Sequence, residues 1–142
     1  MDNRQQDMFM TVSNKHCRNL YPNNSPGHFR ICLDEYIDFT ECYSSCALMD
    51  ISLTTDDIKQ VRNIYICSNV VAEQYLGNKL EPLMRYTIVA RNRYQMEKFV
   101  NPYYIPLKPI RCNYLEIYIK DEEGEIVSFL KNTTTCTLHF QK

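Results

Sequence analysis

Tyr114-Leu115-Glu116-Ile117-Tyr118-Ile119-Lys120 alternates without a break: Leu115, Ile117 and Ile119 fall on one side, Tyr114, Glu116, Tyr118 and Lys120 on the other. Successive side chains leave opposite faces of a pleated strand, so this period of two marks a strand with one face buried. Asp121-Glu122-Glu123-Gly124 follows as an acidic turn closed by glycine, the usual break between antiparallel neighbours. Alternation resumes over Thr134–Phe140, with Cys136, Leu138 and Phe140 inward and Thr135, Thr137 and His139 outward. Phe140 lies two residues from the end, so this last strand is expected to be integral to the fold. Just upstream, Tyr103–Leu107 is extended, and Pro106 places it near an edge. The class these stretches predict is all-β.

The same pattern recurs toward the N-terminus. Asp7–Ser13 reads as a first strand with Met8, Met10 and Val12 on one face. Asn19–Gly27 is a loop rich in breakers, after which His28–Leu33 alternates through Phe29, Ile31 and Leu33. Asp34-Glu35 leads into a short bend over Ile37–Thr40, and Cys46–Leu53 is the third strand. Thr54-Thr55-Asp56-Asp57 resembles a helix cap, with room for at most one turn through Ile58–Val61. Asn63–Ser68 and Met84–Ala90 are the fourth and fifth strands, separated by an ordered surface loop over Asn69–Leu83. Arg91–Lys98 is polar and charged and is expected to project as a turn. About eight short antiparallel strands with almost no helix predict a single jelly-roll β-sandwich with Greek-key connections, occupying residues 1–142 as one domain. A closed lipocalin-like barrel is disfavoured, because its strands are joined by short hairpins.

A chain of 142 residues, 44% of them apolar, can bury a sizeable core in the manner of a soluble globular protein. With 17 acidic and 16 basic residues it offers no general attraction for nucleic acid, and no direct nucleic-acid recognition is expected. No apolar run approaches the ~18 residues of a membrane span. The polar start Met1–Asp7 is not a signal peptide, so secretion is not expected and the seven cysteines are read as reduced thiols. Cys42 and Cys46 form a C-x3-C pair with no second pair to complete a zinc site. Cys32, Cys67, Cys112 and Cys136 lie in strand-like stretches, where cysteine packs as a small hydrophobe.

Catalytic chemistry is not indicated. His16, His28 and His139 are scattered, and no strained nucleophile turn or carboxylate-rich metal loop is present. His16 and Cys17 are adjacent in sequence and so face apart on a strand. Asp56-Asp57 and Glu122-Glu123 are read as solvated turns. The expectation is a protein that is not an enzyme, without catalytic residues, cofactor or metal. Eleven tyrosines with no tryptophan favour a protein of extensive contacts, tyrosine being broad in body and polar at its tip.

Two blocks of the sequence carry a resemblance. Tyr21-Pro22-Asn23-Asn24-Ser25-Pro26-Gly27-His28-Phe29, Asp34-Glu35-Tyr36-Ile37-Asp38-Phe39 and Ala47-Leu48-Met49-Asp50-Ile51-Ser52-Leu53 form the first. The second begins Ile64-Tyr65-Ile66-Cys67-Ser68-Asn69-Val70-Val71-Ala72-Glu73-Gln74-Tyr75-Leu76-Gly77-Asn78 and continues with Glu81-Pro82-Leu83-Met84-Arg85. It ends in Asn101-Pro102-Tyr103-Tyr104-Ile105-Pro106-Leu107, Leu115–Gly124, Val127-Ser128-Phe129 and Thr137-Leu138-His139-Phe140. Together these resemble the penton-type single jelly-roll minor capsid proteins of Polinton (Maverick) elements and the related adintoviruses, in a shortened form. Members of that family carry a long middle section between the blocks, where only Thr54–Arg62 stands here, and a Glu-Pro where Ala72-Glu73 stands.

The resemblance implies a structural viral minor capsid protein: a homopentamer at a capsid vertex, in contact with a major capsid protein and with other minor capsid proteins. It implies a virion location, with assembly in the host nucleus or cytoplasm. Tyr103, Tyr104, Tyr114 and Tyr118 are the expected contact residues, with Arg85 and Arg111 as polar partners. A non-enzymatic β-sandwich binding module, a domesticated jelly roll that recognises a protein ligand, is the alternative. A small cupin-like enzyme is a third reading that the histidine spacing does not favour.

Overall fold

The computed structural model describes residues 6–56, 60–90 and 93–142. Eleven strands follow in chain order: β1 (Met8–Ser13), β2 (His28–Asp38), β3 (Ser45–Thr55), β4 (Arg62–Ser68), β5 (Gln74–Leu76), β6 (Lys79–Glu81), β7 (Leu83–Val89), β8 (Tyr94–Lys98), β9 (Ile105–Pro106), β10 (Arg111–Lys120) and β11 (Leu130–Gln141). One sheet has the order β1-β11-β3-β8, with the short β9 on the start of β3. The facing sheet has the order β2-β10-β4-β7, and β5-β6 is a separate hairpin. Every pairing is antiparallel. Successive long strands alternate between the two sheets until β7, and the chain's return through β8, β10 and β11 closes two Greek keys. The fold is a single jelly-roll β-sandwich, as the sequence pattern predicts.

Alternation decides which side of each strand is buried. Leu115, Ile117 and Ile119 of β10 and Cys136, Leu138 and Phe140 of β11 are fully enclosed. They share one apolar cluster with Val12, Phe29, Leu48, Ile51, Leu53, Ile64, Ile66, Met84 and Val89. Phe140 stacks on Phe39 at 4.6 Å between ring centroids. Phe39 belongs to a 3-10 turn, Phe39–Glu41, that ends β2; Asp38 Oδ1 accepts from Thr40 N at 2.9 Å to start it. Gly27 lies buried where β10 is flanked by two backbones: Ile119 N donates to Gly27 O, and Val127 N donates to Ile119 O. A Cβ at residue 27 would sit 2.8 Å from Val127 O, so only glycine fits this approach.

Four expectations change. Tyr94–Lys98 is not a turn but the edge strand β8, paired with β3 from Asp50↔Lys98 to Thr54↔Tyr94. Its inward positions, Gln95 and Glu97, are polar, which inverts the usual alternation. β2 runs on through Asp34–Asp38, so the bend expected over Ile37–Thr40 begins only at Phe39, as the 3-10 turn. The turn at Asp121–Gly124 folds the chain back antiparallel on the end of β10, through the bridge Lys120↔Ile126, but does not pair β10 with β11, which lie in different sheets. The loop between β4 and β7 contains the β5–β6 hairpin, closed over Gly77-Asn78 with Gly77 at φ 64°. The helical turn expected after Asp56 falls partly on 57–59, outside the described residues, while Thr54 and Thr55 belong to β3. Among the described residues no helix is long and apolar enough to cross a membrane.

Leu115→Ala removes a fully buried side chain from the centre of β10. It is expected to cost about 2–5 kcal/mol, read as a lower denaturation midpoint. The buried thiols give a second expectation. Burial pushes Cys67 and Cys136 from an ordinary 9.0 up to about 12. In the unfolded chain these groups lose their protons above pH 9, while the folded chain retains them. Unfolding therefore releases protons in that window, and stability, fully present below pH 9, falls as pH rises toward 12. Urea midpoints measured from pH 8 to pH 11 are expected to decline, and less steeply in Cys136→Ala.

Candidate functional site

The structure distributes the candidate contact residues over four places on the outer faces and edges of the two sheets. Tyr114 and Tyr118 share the outer face of β10 with Glu116 and Lys120, as the period of two requires. Next to them β2 presents His28 and Arg30, which pair in register with Tyr118 and Glu116. Arg30 Nε donates to Glu116 Oε2 at 3.2 Å, His28 Nε2 lies 2.7 Å from the same oxygen, and the Arg30 guanidinium covers the Tyr114 ring at 4.6 Å. The result is a compact polar-aromatic patch rather than a set of free tyrosines.

Tyr118 is half-buried because the β5–β6 hairpin folds over this face. Glu81 of β6 takes Lys120 Nζ with both carboxylate oxygens, at 2.8 and 2.9 Å, and Gln74 Nε2 donates to Leu83 O at 2.6 Å. Burial, and then the nearby Cys67 and Glu81, push the Tyr118 hydroxyl well above its ordinary range. Cys67 faces outward from β4 opposite Tyr118, yet it is fully covered. It is thus a small buried hydrophobe, as the sequence reading expects, but stands outside the central apolar cluster.

Arg85 and Tyr103 come together at the far edge. The guanidinium is held between the Tyr103 ring at 4.0 Å and the Phe99 ring at 4.1 Å, and Nη1 donates to Asn101 O at 2.7 Å. Such stacking on two faces fixes a long cation in one position while its edge stays available. Tyr104 goes elsewhere. Its hydroxyl lies 2.7 Å from His139 Nδ1 on the outer face of β11, and His139 Nε2 lies 3.1 Å from Asp7 Oδ2. The imidazole also stacks on Phe9 at 4.4 Å, which buries it despite its outward position. Arg111 stands apart, exposed at the start of β10 and in register with Asp38.

Sequence reasoning missed the Glu81–Lys120 pair, although Leu76-Gly77-Asn78-Lys79 is a two-residue hairpin signal that could have revealed the covering element. It also missed the role of the acidic turn, whose Glu122 and Glu123 lie 3.5 and 3.8 Å from the Arg62 guanidinium. Among the described residues no cluster of three or more His, Cys, Asp or Glu is arranged to hold a metal.

Lys120→Met leaves the half-buried Glu81 carboxylate without its cation, a loss of about 1–3 kcal/mol for a charged hydrogen bond. The hairpin is expected to open, giving faster amide exchange over 74–81 and about tenfold faster alkylation of Cys67, with the global unfolding midpoint little changed. Unaltered exchange would mean that the hairpin does not depend on this pair.

No family model matches the chain, and no curated protein matches it. Among solved structures it is similar to the crystal structure of the selenomethionine-labelled mavirus penton protein, with a TM-score of 0.64 over 96% of this chain and 99% of that chain. Sequence identity between the two is 7%, so the likeness is one of fold.

Proposed function

We propose that this chain is a structural protein of a viral capsid, of penton type, and that five copies close a ring around a vertex where they meet a major capsid protein. The observation that supports this best is the end-to-end match of its jelly roll with the mavirus penton protein, at 96% and 99% of the two chains. Sequence adds to it. The blocks Ile64–Asn78 and Leu115–Phe129 favour the Polinton (Maverick) and adintovirus group in a shortened form. Eight strands build the two layers of the sandwich among the described residues, which fits a shortening confined to connections.

On this reading 1–142 is one domain that works through its walls rather than through a reactive pocket. Its place is the virion, after assembly in the host nucleus or cytoplasm. The Arg85–Tyr103 stack, Arg111 and the Tyr114–Tyr118 face are contact surfaces toward capsid neighbours, including other minor capsid proteins. Closed rings need two different faces on each subunit, one meeting the other on the next copy. A sandwich whose two edges differ in side-chain chemistry meets that need.

Native mass spectrometry of the purified chain at micromolar concentration is expected to show a pentamer, and negative-stain images a fivefold ring. A protein that stays monomeric in these measurements overturns the reading. A monomer or trimer that retains a protein ligand would replace it with the binding-module reading.

A further inference from the structure

The sandwich has two free edges, and their chemistry is opposite. At one stand β7 and β8, at the other β1 and β2. The β7–β8 edge carries Val61, Ile88, Tyr94 and Met96 with 63%, 55%, 64% and 49% of their surfaces exposed. These side chains, with Ala90, Arg93 and Gln95, line a shallow open groove. Arg93 and Lys98 are exposed at the two ends of β8 and close no ion pair among the described residues. Of the carboxylates around them, Glu97 is engaged by the Thr87 hydroxyl at 2.8 Å, Asp50 faces Lys98 across the strand pair, and Asp56 follows Thr55, whose N–H donates to Arg93 O. The edge is apolar with a positive rim.

The opposite edge departs from regular pairing. Between the pairs Cys112↔Ile37 and Tyr114↔Cys32, β10 has only Asn113 where β2 has Leu33, Asp34, Glu35 and Tyr36. The surplus residues push β2 away from its neighbour at the boundary of the sheet. Asp34 and Glu35 are exposed there and close no ion pair among the described residues; Tyr36 is 59% exposed beside them. This edge is an acidic protrusion with an aromatic tip.

We infer that the two edges are the two halves of one interface between copies of this chain, which deepens the ring reading above and rests on it. The protrusion of one copy seats against the β7–β8 edge of the next: Tyr36 enters the groove, and Asp34 and Glu35 face Arg93 and Lys98. Either edge set against itself brings like charges together, so the contact has a direction and propagates head to tail. It also covers the exposed side chains of Val61, Ile88, Tyr94, Met96 and Tyr36. The groove alone would suit many apolar ligands; the acidic protrusion at the other end of the same molecule selects a second copy as its occupant.

Charge reversal tests this with a rescue that a folding defect could not mimic. Arg93→Glu with Lys98→Glu, and separately Asp34→Lys with Glu35→Lys, are each expected to weaken association at least about a hundredfold. Native mass spectrometry reads the loss of rings, and far-ultraviolet circular dichroism confirms that the chains remain folded. All four substitutions in one chain invert both edges together, and rings are expected to return. Rings that persist unchanged in both two-substitution variants overturn the inference, leaving the groove to a different partner and the fivefold reading intact. A folded four-substitution variant that stays monomeric overturns it as well. If the unaltered chain forms no ring, the proposed function fails and takes this interface with it.

Discussion

The mutual burial of two strand faces, Leu115, Ile117 and Ile119 of β10 against Cys136, Leu138 and Phe140 of β11, is the constraint that everything else obeys. β10 lies inside one sheet and β11 inside the other, so each sets the register of the strands on both its sides. A slip of one residue would turn an enclosed isoleucine to solvent and a glutamate or tyrosine into the core. Irregularity is therefore confined to places where the inward rows survive it: the surplus in β2 opposite Asn113, the breaks in β3 pairing, and the step at Ile66/Cys67. What varies outside those rows is free to serve contacts.

Outward positions are largely occupied by the molecule's own groups. Arg30 covers Tyr114, the hairpin covers Tyr118 and Cys67, and Tyr104 and Phe9 enclose His139. These arrangements rigidify the outer faces, and among the described residues Thr134 Oγ1 is the one buried side-chain oxygen or nitrogen without a hydrogen-bond partner. Val61, Ile88, Tyr94 and Met96 stay uncovered at the β7–β8 edge and Tyr36 at the tip of the β2 protrusion, while Phe9, Leu20, Tyr75 and Val100 are exposed elsewhere on the surface.

The sequence was informative wherever one face of a strand is apolar and the other polar. β1, the start of β2, β3, β4, β7, β10 and β11 all announce themselves this way, and the jelly roll follows from their number and spacing. β8 did not, for a physical reason. Its inward residues Gln95 and Glu97 bond to β7 instead of filling the core, while Tyr94 and Met96 point to solvent, so its pattern looks like a decorated turn. The hairpin strands were too short for any period to show. Among the contact candidates, residue type was legible and location was not. Arg85 and Tyr103 are joined only by the return of the chain after β8, and Tyr104 meets His139 across 35 residues.

Gln95 has one further effect. Its amide oxygen accepts from Ala90 N at 3.1 Å and its amide nitrogen donates to Ile88 O at 2.9 Å, so a side chain stands where the peptide of an additional strand would otherwise dock on β7. At this end of β7 the two backbone groups that an added strand would use are thus already engaged. Along that stretch a neighbour would meet the flank of an amide side chain in place of unpaired peptide groups.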